Sequence, residues 1–135
     1  MDCIFCEIAR GELPAARVLE EEHAVAFLDR KPLFAGHVLV IPRTHLETIA
    51  DLPPDLVTAF FPTVQRMARA VEVALGAQGT FVAMNNKVSQ SVPHFHVHVV
   101  PRRKGDGLKG FFWPRTKYAS DAEMNDVAAR IRSAL

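Results

Sequence analysis

His94-Phe95-His96-Val97-His98-Val99-Val100 sets three histidines at a strict period of two within an apolar run. Such alternation is typical of a half-buried β-strand, because successive side chains leave opposite faces of the backbone. The pattern predicts that the three imidazoles share one face, while the phenylalanine and the first two valines pack into a core on the other. One face of this strand is therefore predicted to be chemical and the other structural.

Strand geometry limits what the three imidazoles do together. Residues on one face lie about 6.6 Å apart, which separates His94 from His98 by about 13 Å. A zinc ion with bonds of about 2.0–2.1 Å to nitrogen suits an adjacent pair better than all three. The spacing therefore favours different functions for the three histidines over a single metal site that uses all of them. A chance cluster of hydrogen-bonded histidines is the alternative.

The heptapeptide resembles the His-φ-His-φ-His-φ-φ signature (φ, apolar) of the histidine triad (HIT) family of nucleotide-binding hydrolases and transferases. The resemblance extends through Cys3-Ile4-Phe5-Cys6, Phe27-Leu28-Asp29, Gly36-His37-Val38-Leu39-Val40-Ile41-Pro42 and Pro101-Arg102. It implies an α+β, HIT-like fold with a five-stranded, mainly antiparallel sheet, one long helix, and short N- and C-terminal helices. It also implies a homodimer of single domains over residues 1–135, with a Cys-x-x-Cys segment at 1–12 and a C-terminal extension and helix at 102–135.

Composition and charge are those of an ordinary soluble domain. The 135 residues leave room for one domain, and 49% are hydrophobic and 23% charged. A net charge of +1 provides no overall field for nucleic acid or an anionic membrane. Asp2 and Glu7 stand where a secretory signal would be basic and apolar, and no apolar run approaches about 18 residues. We therefore expect a cytoplasmic protein without nucleic-acid or membrane partners.

Hydrophobic periodicity predicts the remaining elements. They are a helix at 3–10 ended by Gly11, strands at 18–19, 24–28, 37–41 and 80–84, a long amphipathic helix from about 53 to 75, and a last helix opened by a Ser120-x-x-Glu123 capping box. The last helix carries Val127, Ile131 and Leu135 on one face. Strands separated by turns, with one long helix between them, indicate a mainly antiparallel α+β domain.

An imidazole attacks phosphorus well when it is neutral and a hydrogen bond at one ring nitrogen leaves the other free. The resemblance implies that His96 is this nucleophile, forming a covalent nucleotidyl-histidine at the α-phosphorus that water then hydrolyses. It implies that His98 donates to a phosphate oxygen, that His94 and His37 complete the catalytic set, and that no catalytic cofactor is required. For His37, a strand-end histidine bonded to backbone remains the alternative.

The implied substrate is a purine ribonucleotide, cleaved by a nucleoside phosphoramidase or a dinucleoside polyphosphate hydrolase. The resemblance assigns an apolar purine pocket to Ile4, Phe5, Ile8 and Phe27, for which simple core packing is the alternative. It assigns the ribose hydroxyls to Asp29, whose carboxylate can accept from both. Phosphate contacts fall to Asn85, or its neighbour Asn86, and to Gln90 and Ser91, although Ser89 departs from the glycine common in family members.

Cys3-x-x-Cys6 has the spacing of a zinc knuckle. Family members with this pair often bind zinc through it and two histidines, here His45 and His94, so the resemblance implies a structural Zn²⁺. Free thiols or a redox pair are the alternatives, although the βαβ context of a thioredoxin-like pair is missing.

Six basic residues and one acid lie between Arg102 and Lys117. They are predicted either to hold the outer phosphates of a dinucleoside polyphosphate or to be ordinary solvated charge. Trp113 is predicted to stack on a second base or, preferably, to seal the core or dimer contact.

Two rival functions remain: a nucleotide-binding or protein-interaction module with incidental catalysis, and a zinc-stabilised structural protein without nucleotide affinity.

Overall fold

The computed structural model describes residues 3–108 and 115–135. In chain order these ranges contain α1 (Ile4–Arg10), β1 (Arg17–Glu20), β2 (Ala24–Leu28), β3 (Val38–Pro42), a short 3₁₀ turn (Ile49–Asp51), α2 (Pro54–Leu75), β4 (Gly79–Ala83), β5 (Val97–Arg102) and α3 (Asp121–Ser133). Among them, no helix combines the length and apolar character needed to cross a bilayer. The aromatic segment with Trp113 lies outside the described residues.

The five strands form one antiparallel sheet in the order β1-β2-β3-β5-β4. This confirms the predicted α+β class and strand number. The last strand in sequence lies between β3 and β4, so His98, the triad histidine within β5, lies on an interior strand of the sheet. The register places Leu39 of β3 opposite His98 of β5.

The two faces of the sheet are covered by different helices. Helix α2 begins with a proline at its first position and ends at Gly76, whose φ of 61° is left-handed. Its apolar stripe of Phe60, Val64, Met67 and Val71 packs on one face, against alternate strand residues such as Val97 and Val99. The intervening strand residues face α1, and they include Val25, Phe27, Leu39 and Ile41. Because His98 alternates with Val97 and Val99, it belongs to the α1 face.

The prediction of one continuous triad strand is wrong in its first half, because β5 begins only at Val97. Other main-chain bonds replace the ladder there: the amide of His94 donates to the carbonyl of Val92 at 2.8 Å, and the amide of Phe95 donates to the carbonyl of Leu46 at 2.6 Å. The predicted faces are nevertheless confirmed. Phe95 is fully buried in the α2 core, whereas the rings of His94 and His96 contact Phe5 of α1.

Helix α3 begins as predicted, with the Ser120 side chain accepting from the amide of Glu123 at 3.1 Å. None of its described residues is buried, and Ile131 is 60% exposed. Its predicted apolar face therefore does not contribute to the core of the chain.

Candidate functional site

The ring of His96 is held by its own main chain. Its Nδ1 lies 2.7 Å from the carbonyl oxygen of His94. A carbonyl oxygen can only accept, so Nδ1 carries the hydrogen and Nε2 carries the lone pair of the neutral ring. The side chain is only 3% exposed. Nε2 has no hydrogen-bond partner among the described residues. Every inaccessible side-chain nitrogen in the described part of the chain has a partner, so Nε2 must be accessible. Because the ring lines a cavity, Nε2 is open to that cavity.

That cavity has a volume of about 470 Å³. Eight of the predicted nucleotide-site residues line it: Ile4, Phe5, Ile8, Phe27, Asp29, Ser91, His96 and His98. The sequence reasoning missed a further set, Leu13, Pro14, Ala15, Leu28, Arg30, Lys31, Leu39 and Val92. Strand alternation could have placed Leu39 on the cavity face of β3, whereas nothing in the local sequence of Leu13-Pro14 indicates that these residues line the cavity.

His98, which is half-buried, and His37, which is buried, form a pair beside His96. The ring centroids of His96 and His98 are 5.0 Å apart, and Nε2 of His37 lies 2.9 Å from Nδ1 of His98. An Asp29 oxygen lies 3.7 Å from the same His37 nitrogen. Loss of hydration, with smaller effects from His96 and His37, lowers the pKa of His98 to about 4. Burial also lowers the pKa of His37, against an opposing attraction from Asp29. Both rings are therefore neutral at pH 7.

The predicted phosphate-binding amides are engaged with main-chain groups of their own loop and of the segment that contains Glu47 and Ile49. Gln90 accepts from the amide of Lys87 at 2.9 Å and donates to the carbonyl of Glu47 at 2.5 Å. Asn85 donates to the carbonyl of Ser89 at 3.2 Å, and Asn86 accepts from the amide of Ile49 at 2.8 Å. Of the loop residues predicted to bind phosphate, only Ser91 lines the cavity among the described residues. Phosphate contacts by Asn85 and Gln90 stay a prediction.

Cys3, Cys6, His45 and His94 bring one ligand atom each to within 4.8 Å of one another. Nε2 of His94 donates to the carbonyl of Pro42 at 2.8 Å, which leaves the Nδ1 lone pair directed at the thiols. Nδ1 lies 3.5 Å from both sulfurs, and Nδ1 of His45 lies 3.3 Å from the sulfur of Cys6. A tetrahedral zinc with bonds of about 2.3 Å to sulfur and 2.05 Å to nitrogen separates these atoms by about 3.6 Å. The donor set and spacing therefore fit zinc, and the ring of His94 faces the thiols.

None of the described residues of the basic tail lines the cavity. Arg102 pairs with Asp106 at 2.6 Å, and Arg103 donates to the carbonyl of Leu75. The Arg102 guanidinium holds the pKa of Asp106 well below its usual range. Arg30 and Lys31, beside Asp29, are instead the basic residues that line the cavity in the described part of the chain.

Residues 10–105 match the model of the HIT domain family. The chain is a member of the HIT family. The resemblance drawn from the triad is thereby confirmed, and the five-stranded sheet is that of the HIT fold. The matched range contains all three triad histidines and His37, whereas Cys3 and Cys6 precede it.

Solved HIT structures agree in fold. The chain is similar to a HIT protein of Bacillus subtilis, with a TM-score of 0.88 and 37% identity over 100% of this chain and 98% of that one. It is also similar to a zinc-bound histidine triad protein of Mycobacterium smegmatis, with a TM-score of 0.75 and 38% identity over 100% and 99% of the two chains.

A named relative indicates the class of chemistry. The chain is 34% identical to an adenosine 5'-monophosphoramidase of Saccharomyces cerevisiae, over 83% of this HIT chain and 70% of the relative. At the family level, this supports a nucleotide hydrolase.

Proposed function

We propose that the protein hydrolyses purine nucleoside phosphoramidates at the α-phosphorus through a covalent nucleotidyl-His96. The observation that carries the proposal is the tautomer of His96, whose Nε2 lone pair opens into the cavity beside His98. A neutral imidazole fixed in this way is a nucleophile that requires no separate base.

The cavity offers a distinct surface to each part of the substrate. Its apolar wall, built by α1 and Phe27, suits a purine ring, and its volume falls within the range of about 300–1,000 Å³ usual for ligand pockets. Asp29 accepts hydrogen bonds from the ribose hydroxyls. The phosphate then lies between the base wall and the two histidines, next to Ser91.

The reaction proceeds in two displacements. Nε2 of His96 forms a bond to phosphorus as the phosphorus–nitrogen bond breaks, and the departing amine takes up a proton from solvent. Water then attacks phosphorus and loses a proton to solvent as the phosphorus–histidine bond breaks, which releases a nucleoside monophosphate and regenerates the free imidazole. His98 donates a hydrogen bond to a phosphate oxygen in both steps, stabilising the charge of the transition state.

The charge distribution favours a phosphoramidate over a dinucleoside polyphosphate. A chain of further phosphates requires cations beyond the α-phosphate, whereas Arg102 and Arg103 are bonded elsewhere, at the far end of β5, and no described residue of the basic tail lines the cavity. Arg30 and Lys31 adjoin Asp29, so we place them near the ribose.

The adduct is the direct test. We expect mass spectrometry of a quenched reaction with adenosine phosphoramidate to show the intact chain increased by one adenylyl group. Tight binding of AMP without turnover or adduct on any purine nucleotide would instead establish the rival binding module. Absence of AMP binding in calorimetry would leave only a structural role.

Asp29→Asn is predicted to raise KM for a ribonucleotide substrate about tenfold, because a neutral amide replaces a charged acceptor worth about 1.5–3 kcal/mol. The measurement is steady-state kinetics on adenosine phosphoramidate and its 2',3'-dideoxy analogue. The analogue has no hydroxyls to donate, so its KM should be nearly the same for wild type and variant. An equal rise for both substrates would refute the ribose contact.

A structural zinc ion is the second part of the proposal. Cys3 and Cys6 as thiolates, with His45 and His94, would hold it, as their spacing supports. When bound, the ion would cross-link α1 to the segment that contains His94 and would take no part in the chemistry at phosphorus. This division accounts for a triad in which His96 and His98 face the cavity and His94 does not.

We further propose that the protein is a homodimer acting in the cytoplasm. Strand β4 is an edge of the sheet, so one side of its backbone has no neighbouring strand in the described part of the chain, and Val82 on this strand is 43% exposed. Light scattering at micromolar concentration is expected to give twice the 15.0 kDa chain mass.

A further inference from the structure

The loop between β2 and β3 brings a main-chain N–H to the rear of the histidine pair. The amide of Leu33 lies 3.1 Å from Nδ1 of His37. A backbone amide can only donate, so Nδ1 of His37 must carry a lone pair, and its single ring hydrogen must lie on Nε2. The His37 side chain is 4% exposed, so water does not readily replace this donor. One main-chain hydrogen thus fixes the tautomer of a buried imidazole.

The next hydrogen bond continues in the same direction. Nε2 of His37 lies 2.9 Å from Nδ1 of His98. Since the His37 nitrogen carries the hydrogen, Nδ1 of His98 accepts, and the hydrogen of neutral His98 lies on its own Nε2. Within the described part of the chain, no residue takes a hydrogen bond from that atom, and His98 lines the cavity. His98 therefore presents a donor to the cavity.

We propose that the main-chain N–H of Leu33 is a positioning group for the reaction, because it sets the tautomers of His37 and His98 and so makes His98 a donor to phosphate. The effect of this amide on catalysis rests on the proposed function, whereas its effect on the tautomers of His37 and His98 does not. The Asp29 oxygen 3.7 Å from Nε2 of His37 favours the same hydrogen position. Asp29 is itself held by the amide of Lys31 at 2.9 Å, so this one loop provides both restraints.

The same amide decides between two uses of the cluster. Asp29, His37 and His98 bring ligand atoms to within 4.8 Å of one another, as a metal site requires. A metal ion on Nε2 of His37 would need the ring hydrogen on Nδ1, where it would meet the N–H of Leu33. Leu33 therefore selects a directed chain of hydrogen bonds over metal ligation.

The tautomers are measured directly by long-range ¹H–¹⁵N NMR of the histidine-labelled protein at neutral pH. We expect His98 to show a protonated Nε2 and an unprotonated Nδ1, and His37 to show the same. A hydrogen on Nδ1 of either ring in the wild-type protein would overturn the proposal. This arm needs no substrate, so it gives its answer even if the proposed hydrolysis fails.

Removing the donor tests its effect on the reaction. Leu33→Pro deletes the N–H, and its cost in packing is small because the leucine side chain is 50% exposed. If the proline variant does not fold, a backbone ester at residue 33 deletes the same hydrogen without a ring and directs an oxygen lone pair at His37. Leu33→Ala is the matched control, because it keeps the amide.

For the proline or ester protein we expect mixed tautomers of His37 and His98, and kcat lower by about three- to tenfold with little change in KM, the range that the loss of one hydrogen bond produces. Leu33→Ala should retain the wild-type ring-nitrogen shifts. Wild-type tautomers in a folded ester protein, or altered tautomers in Leu33→Ala, would refute the role of the amide. Altered tautomers with unchanged kcat would refute its link to catalysis.

Discussion

His96→Ala is expected to lower kcat for adenosine phosphoramidate by at least about 10⁴-fold and to abolish the covalent adduct. Without the imidazole no protein atom attacks phosphorus, and direct attack by water loses the two-step route; removal of a nucleophile in other enzymes has effects of this size or larger. Single-turnover kinetics with mass spectrometry of the quenched protein measures both quantities.

Two controls distinguish lost chemistry from lost structure. The variant should bind AMP within a few-fold of wild type, because the purine wall and Asp29 remain. His23→Ala is the matched substitution, since His23 is exposed and does not line the substrate cavity, and it should leave turnover unchanged. Equal turnover by wild type and His96→Ala would exclude the covalent mechanism.

Loss of zinc is expected to lower the midpoint temperature of thermal unfolding by roughly 10–20 °C. An ion present at about 1,000 times its Kd stabilises the folded state by about 4 kcal/mol, and each kcal/mol moves the midpoint of a domain of this size by a few degrees. The measurement compares protein purified without a metal-affinity step before and after chelation. Affinity for AMP should fall as well, because α1 carries both Cys6 and three residues of the purine wall.

Cys3→Ser/Cys6→Ser is the control for chelation. This protein should already show the low midpoint, and chelator should not change it further. Near-zero zinc in the purified wild-type protein at neutral pH, measured by elemental analysis, would contradict the zinc proposal.

Alternation in the sequence predicted the sheet well because burial follows the period of two. The assignment of Phe95 and Val97 to the core, and of the histidines to the opposite face, needed only that rule. The extent of the triad strand was not predictable in the same way, because Phe95 bonds to the distant carbonyl of Leu46 rather than to a neighbouring strand. Local pattern carries no information about such a partner.

Site residues were predictable from the sequence where the chemistry of the site requires a particular residue type. Residues that only shape the cavity were not predictable in this way. Histidines, thiols and Asp29 stand out in sequence because few roles suit them, and the structure places His96, His98 and Asp29 at one cavity. Leu13 and Pro14 line the same cavity but are ordinary turn residues in the sequence. The direction of the His37–His98 bond was also inaccessible, since it depends on the amide of Leu33, whose side chain has no part in it.

The bond from His96 to the carbonyl two residues earlier is contained within its own peptide segment. In the proposed mechanism, the orientation of the attacking atom therefore does not depend on the residues that line the rest of the cavity. Leu13, Pro14, Arg30 and Lys31 can be exchanged during evolution or in the laboratory to admit new bases or sugars, while the attacking atom keeps its orientation. We expect libraries randomised at Leu13, Arg30 and Lys31 to yield altered selectivity far more often than inactive enzyme.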